Sequence, residues 1–459
     1  MPRGTSAALL SLGLTVFAFS LGATRAQSNG ADAVAALYSG SAERLIGAAL
    51  EDDTGYRRLA YLSDRIGNRL SGSASLDRAI AWALSEMEKD GLDNVHKEKV
   101  MVPHWVRGEE SLELLEPTER RVALLGLGDS VGTPPEGITA EVVVVHDFDE
   151  LEALGEAKVK GKVVLYDAPF KTYGETVAYR VNGPSRAAKL GAVATLVRSI
   201  TPVSLSTPHT GMLHYDPTQP KVPAAAITIE AASTLARMQE RGERIRVRLR
   251  MGARMLEDAE SANVIAEVRG RELPDEVVVL GGHIDSWDVG TGSSDDGGGI
   301  LCSWEAVRLV KKLGLRPRRT LRVVLWTNEE NGTRGAKAYR EAHASEKHVL
   351  AIESDSGVAR PFGFGMAKEA SPKARERVSS IAPLLAGIGA DRIGPNGGGA
   401  DVEPLGKDGA PIMGLDVDET HYFDWHHTEA DTFDKIDRLS FGRCVASMAV
   451  MGYVSADLP

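Results

Sequence analysis

Four short apolar runs in the C-terminal half of this 459-residue chain each lead into acids or imidazoles, and that recurrence limits the folds open to it. Glu276 to Leu280 precedes His283, Asp285, Asp295 and Asp296. Leu321 to Trp326 precedes Asn328, Glu329 and Glu330. His348 to Ile352 precedes Glu353 and Asp355, and Pro411 to Leu415 comes some way before His426, His427 and Asp431. Runs of this length predict buried strands, and the apolar pattern from Ile300 to Leu313 predicts a helix between two of them. Solvated charge has no reason to choose the same end of successive strands. Open α/β sheets, in contrast, build their sites outside the carboxyl ends of their strands. The expectation is an α/β fold with a mixed, mostly parallel sheet covered by helices on both faces.

The densest segment is His283 to Gly299, His-Ile-Asp-Ser-Trp-Asp-Val-Gly-Thr-Gly-Ser-Ser-Asp-Asp-Gly-Gly-Gly. Alone, a His-x-Asp is common and Asp-Asp-Gly-Gly reads as a turn. Repeated at four strand ends, the same residue types suit a divalent metal such as zinc. Glycines from Gly290 to Gly299 give the backbone freedom to wrap around such an ion. The two cysteines, Cys302 and Cys444, fall in apolar helical patterns and are expected as buried free thiols. A centre without sulfur, built on oxygen and nitrogen ligands, suits an open catalytic site better than a closed structural one.

The ordered set His-x-Asp, Asp-Asp-Gly, Glu-Glu, Ser-Asp and His-Thr-x-x-Asp-Thr resembles that of the M28 family of co-catalytic di-zinc exopeptidases. Further echoes are Leu313 to Pro317, Gly132 to Val142 and Pro208 to Gly211, so the resemblance spans nearly the whole mature chain. It implies a zinc-exopeptidase-like fold and two zinc ions per chain. His283 and Asp355 would bind one, Glu330 and His427 the other, and Asp295 would bridge them. Three carboxylates nearly cancel the charge of two cations held close together. Glu329 is then the general base that takes a proton from water and passes it to the leaving amine. Asp285 is expected to accept from the His283 ring and fix its tautomer, and the Asp295–Asp296 peptide is cis in related enzymes. Where many members have Tyr before the last His ligand this chain has His426, which leaves His426 and Tyr422 as alternative oxyanion donors. The implied substrate is a small unblocked peptide, above all a dipeptide, with aminopeptidase, carboxypeptidase and dipeptidase action unresolved. A glutaminyl-cyclase-like acyltransferase with one zinc and a non-catalytic binding ectodomain are the alternatives.

Arg3 followed by the apolar stretch Ala7 to Ala23 and Thr24-Arg25-Ala26 reads as a signal peptide over residues 1–26, making the chain secreted or periplasmic. Its removal takes away two arginines and no acid, moving the formal charge from -11 to -13, which argues against nucleic acid. No second hydrophobic run is expected to cross a membrane. Residues 27–123 read as a helical N-terminal part of the catalytic domain, with the loop at Gly67 to Ser73 placing Arg69 near substrate or in a structural turn. Residues 124–254 resemble an inserted protease-associated α/β domain serving as lid, specificity wall or dimer surface, which leaves a homodimer open. Residues 255–459 form the catalytic domain, in which Asp401, after a glycine-rich loop, is a turn residue or a pocket wall.

Overall fold

The computed structural model describes residues 20–459, so most of the leader lies outside the described residues. Eight strands form the first sheet, in the order Asp93–Val102, Ala259–Val268, Arg319–Trp326, Leu273–His283, Lys347–Glu353, Ile412–Val417, Pro361–Met366 and Arg392–Pro395. Four neighbouring pairs are parallel and three are antiparallel, the mixed, mostly parallel sheet expected. In the central strand Val278 and Leu280 face one apolar core while Val277 and Val279 face the other. Burial on both faces explains why this strand reads as an unbroken apolar run. Helices Ser20–Glu51, Gly298–Lys312 and Arg438–Asp457 cover one face; Arg334–Ala342 and Glu403–Lys407 cover the other.

Register sets the site. His283 pairs with Trp326 and Gly281 with Glu353, so three parallel strands end level with one another. The residues that follow them, Asp285, Glu329, Glu330 and Asp355, therefore emerge on one edge.

One expectation changes. The helical reading of the N-terminal part ends at Lys89, because Asp93–Val102 pairs antiparallel with Ala259–Val268 as an edge strand of the first sheet. Its buried residues, Val100 and Val102, alternate with exposed Lys99 and Met101, a period of two. The C-terminal helix Arg438–Asp457 is long and apolar enough to cross a membrane. It is instead a core helix, buried along Phe441–Ala456 against Gly298–Lys312.

The second sheet also has eight strands: Arg120–Val122, Glu110–Glu116, Arg246–Met251, Ile138–Val145, Val163–Tyr166, Ala194–Arg198, Ala224–Ile227 and Leu124–Gly126. It begins earlier in the chain than Leu124, with the Glu110–Glu116 strand. Arg107 joins the two bodies by pairing with Asp288 at 2.5 Å. Trp287 packs with Leu70, Trp105 and Ala253 at the same junction.

Candidate active site

Backbone geometry comes first. Gly290 and Gly292 take φ of +64° and +56°, turning the chain after His283 back over the strand ends. Arg69 is fully buried under that loop, and its guanidinium donates to the carbonyls of Gly67, Ile284, Thr291 and Gly292 at 2.8 to 3.0 Å. Of the two roles open to it, the structure gives Arg69 the structural one. The Asp295–Asp296 peptide is cis. Asp296 accepts from the backbone N–H of His283 and of Gly299, both at 3.0 Å. Asp431 accepts from Ser294 N at 2.7 Å and Asp295 N at 3.1 Å.

On this frame Asp295 stands between two imidazoles. Its Oδ1 lies 3.2 Å from His283 Nε2, which is also 3.2 Å from Asp355 Oδ1. Its Oδ2 lies 3.2 Å from His427 Nε2, which is also 3.2 Å from Glu330 Oε2. Each ring has its other nitrogen at a carbonyl, His283 Nδ1 3.0 Å from Asp285 O and His427 Nδ1 3.3 Å from Thr210 O. A carbonyl only accepts, so Nδ1 carries the proton in both rings and Nε2 of the neutral imidazole presents a lone pair. Two groups of lone pairs thus converge, each made of one imidazole nitrogen and two carboxylate oxygens. Asp295 Oδ2 has no hydrogen bond of good geometry, its neighbours being His427 Nε2 at 3.2 Å and His426 Nε2 at 3.4 Å. Such a donor set fits zinc. Other trios within 4.8 Å bring in Asp296, beside His283 and Asp355, and His426, beside Asp295 and His427.

Charge balance points the same way. Burial pushes the Glu329 carboxyl well above the usual range, with Asp355 and Glu330 adding repulsion. Burial and Asp295 push Glu330 up to about 7. Although burial opposes it, His427 is held well above its ordinary value by Glu330 and Asp295.

Asp285 departs from expectation. Its carboxylate is 3.8 Å from His283 Nδ1, whose partner is the Asp285 main-chain carbonyl. The carboxylate instead accepts from Glu329 N at 3.1 Å and Glu330 N at 3.3 Å. It orients the Glu-Glu pair, because the turn after His283 brings its side chain under the next strand end. Asp401 is buried, donates from its N–H to Glu353 at 2.9 Å, and does not line the cleft.

The cleft holds about 550 Å³. Its floor is Asp295, Glu329, Glu330 and Asp355; His426, Tyr422 and Phe423 form one wall, and Tyr173, Arg180 and Met212 of the second body face them. Tyr173 stacks on Phe423 at 5.1 Å between ring centroids. His426 stacks on His427 at 3.5 Å, and burial lowers its basicity well below the usual value, so the ring stays neutral with one N–H to offer. His427 takes φ of +60°, which costs a non-glycine residue about 1 to 2 kcal/mol. Thr210 holds it there, donating its N–H to His427 O at 3.0 Å and accepting from the ring. Thr210 carries no ligand-type signal of its own, and Asp431, singled out in the sequence as one more acid of the His427–Thr432 segment, proves to hold the backbone of Ser294 and Asp295.

Comparison with known proteins fits this geometry. Residues 263–451 match the sequence profile described as Peptidase family M28. Carboxypeptidase Q from Bos taurus is 47% identical over 405 residues, covering 88% of this chain and 85% of that protein. The Homo sapiens protein of the same name is 45% identical over the same shares. The crystal structure of a peptidase M28 precursor from Shewanella amazonensis SB2B superposes with a TM-score of 0.88 at 34% identity, covering 92% of this chain and 97% of that one. A zinc aminopeptidase from Bacillus subtilis shares the fold, with a TM-score of 0.67 at 19% identity over 89% of this chain and 98% of its own.

Proposed function

This chain belongs to peptidase family M28 and is a metallo-exopeptidase; on that premise we propose that it is a secreted enzyme that hydrolyses small unblocked peptides, dipeptides above all, with two zinc ions per chain. The observation that carries the reading is the sharing of Asp295, one oxygen toward each imidazole nitrogen at 3.2 Å. His283 and Asp355 would hold one ion and Glu330 and His427 the other, with Asp295 placed to serve both. A zinc pair at this place supplies Lewis acidity at the scissile carbonyl and a water of lowered pKa.

The remaining work falls to side chains. Glu329, oriented through its N–H by Asp285, removes a proton from the attacking water and returns it to the leaving amine. The neutral His426 ring and Tyr422 are the donors available to the developing oxyanion. Glu329, the floor carboxylate not assigned to an ion, offers negative charge to the substrate ammonium. Residues 1–26 act as the signal peptide, 27–123 and 255–459 as the catalytic body, and 124–254, with the preceding Glu110–Glu116 strand, as a protease-associated-like wall. Its Tyr173 and Arg180 narrow the cleft to a short ligand.

The test is a substrate panel with zinc present. Free dipeptides are expected to be cleaved and their N-acetyl forms and long polypeptides to fail. Equal hydrolysis of N-acetylated dipeptides or long chains would sink this account of the pocket.

A further inference from the structure

A second cavity, of about 360 Å³, lies behind one wall of the cleft. Tyr422 and Ser356 line both spaces. Tyr422 is 8% exposed and packs on Gly357, where a Cβ would lie 3.2 Å from its ring, and so stands between them. Val358, Ile436, Trp425 and the Tyr422 ring give the cavity an apolar wall. Its charge sits at the mouth. Asp418 N donates to Arg360 O at 2.9 Å, which sets a cation and a carboxylate side by side. Their side chains nevertheless form no ion pair: Arg360 meets no carboxylate within 4.0 Å among the described residues, and its guanidinium lies over the Phe362 ring at 4.7 Å. Asp418 takes the N–H and hydroxyl of Thr420 on Oδ1 and leaves Oδ2 to solvent. Lys435 and His421 add positive charge, each paired with an acid that does not line the cavity, Asp434 and Asp424.

That combination selects a ligand class. A simple carboxylate would face Asp418, and a simple amine would face Arg360, Lys435 and His421. A wholly apolar molecule would desolvate these charges without pairing them. A zwitterion with an apolar side chain satisfies all three parts, and the volume lies at the lower end of the range for small-molecule pockets, about 300 to 1,000 Å³. We propose that this cavity binds a free α-amino acid with an apolar side chain, with its carboxylate at Arg360 and Lys435, its ammonium at Asp418 and its side chain against Trp425 and Ile436. Binding does not depend on the peptidase reading; on that reading the ligand is of the product class. The cavity wall also continues into the frame of the centre, because Trp425 Nε1 donates to Ser294 Oγ at 3.0 Å and Ser294 precedes Asp295. A ligand packed on Trp425 and Tyr422 restrains that frame from behind, so it lowers kcat without entering the cleft.

The test titrates L-leucine into the zinc-loaded full chain, followed by calorimetry and tryptophan fluorescence, beside leucinol, isocaproate and glycine. Leucinol lacks the carboxylate and isocaproate the ammonium, and each is expected to bind about 3- to 5-fold more weakly, the contribution of an ion pair near the surface. Glycine, without the side chain, should lose about 10-fold or more. Arg360→Gln and Asp418→Asn should each weaken leucine by the same 3- to 5-fold while keeping wild-type kcat/KM for alanyl-alanine. Leucine should lower kcat in wild type, and less at the same concentration in Arg360→Gln. Absence of binding at millimolar leucine, or affinity unchanged in both variants, overturns the site. Purely competitive inhibition, equal in wild type and Arg360→Gln, places leucine in the cleft and overturns it too. A wild type that binds leucine in this pattern but cleaves no dipeptide would sink the peptidase reading and leave the amino-acid site standing.

Discussion

Asp431→Asn is the perturbation that best separates folding from metal binding. The carboxylate, 3% exposed, accepts two backbone N–H groups, of Ser294 at 2.7 Å and of Asp295 at 3.1 Å. Hydrogen bonds to a charged acceptor contribute about 1.5 to 3 kcal/mol each. An amide can accept only one of the two and turns its own NH2 toward the other, so about 3 kcal/mol of local alignment is lost. Removing the charge also relieves repulsion with Asp295, which offsets much of that loss in metal-free protein. With zinc bound there is no such offset, because a negative charge has gone and Asp295 is less well aimed. The expected result is an apo melting temperature close to wild type, a zinc affinity about 10- to 100-fold weaker by chelator competition, and a parallel loss of kcat/KM at limiting zinc. Wild-type zinc affinity in the variant would refute the reasoning.

Gly282→Ala should damage the same frame by crowding, since its Cβ would lie 2.1 Å from Asp296 Oδ2; about 1 to 3 kcal/mol of stability should be lost in urea titration, with weaker zinc binding. Far from the metals, His343 lies 2.8 Å from Glu98 and 3.2 Å from Glu346. Burial opposes it, but these partners push His343 up to about 9. A raised histidine stabilises the fold fully below pH 6.5, and the contribution is lost as pH rises through about 9. The shift corresponds to about 3 kcal/mol, reduced to about 2 by solvent screening of a half-buried group. Urea midpoints should fall between pH 6 and pH 9.5 in wild type and less in His343→Gln; equal falls would rule out His343 as the source.

Much of the centre was legible because its chemistry is local in sequence. His283 ends, and Glu329, Glu330 and Asp355 follow, strands that are buried on both faces, and such strands announce themselves as unbroken apolar runs. What sequence hid was pairing across distance. Asp93–Val102 carries only two buried residues and follows a run of helices, so its strand character depends on the partner Ala259–Val268. Asp285 was placed beside the right residue with the wrong contact, because two residues of spacing do not say whether carbonyl or carboxylate reaches the ring. The grip of Thr210 on His427 spans 217 residues through main-chain atoms, for which no side-chain pattern exists. Arg180 gave no signal at all, being one arginine in a stretch without ligand clusters.

The claim that two zinc ions and Glu329 carry the reaction is tested most directly by metal analysis of purified chain alongside Glu329→Gln, each assayed on a free dipeptide. About two zinc ions per chain are expected in both proteins, with turnover in the variant lower by about 100- to 10,000-fold because the base is gone and the ligands remain. One tightly bound zinc per wild-type chain, or substantial activity in a zinc-replete variant, would contradict it.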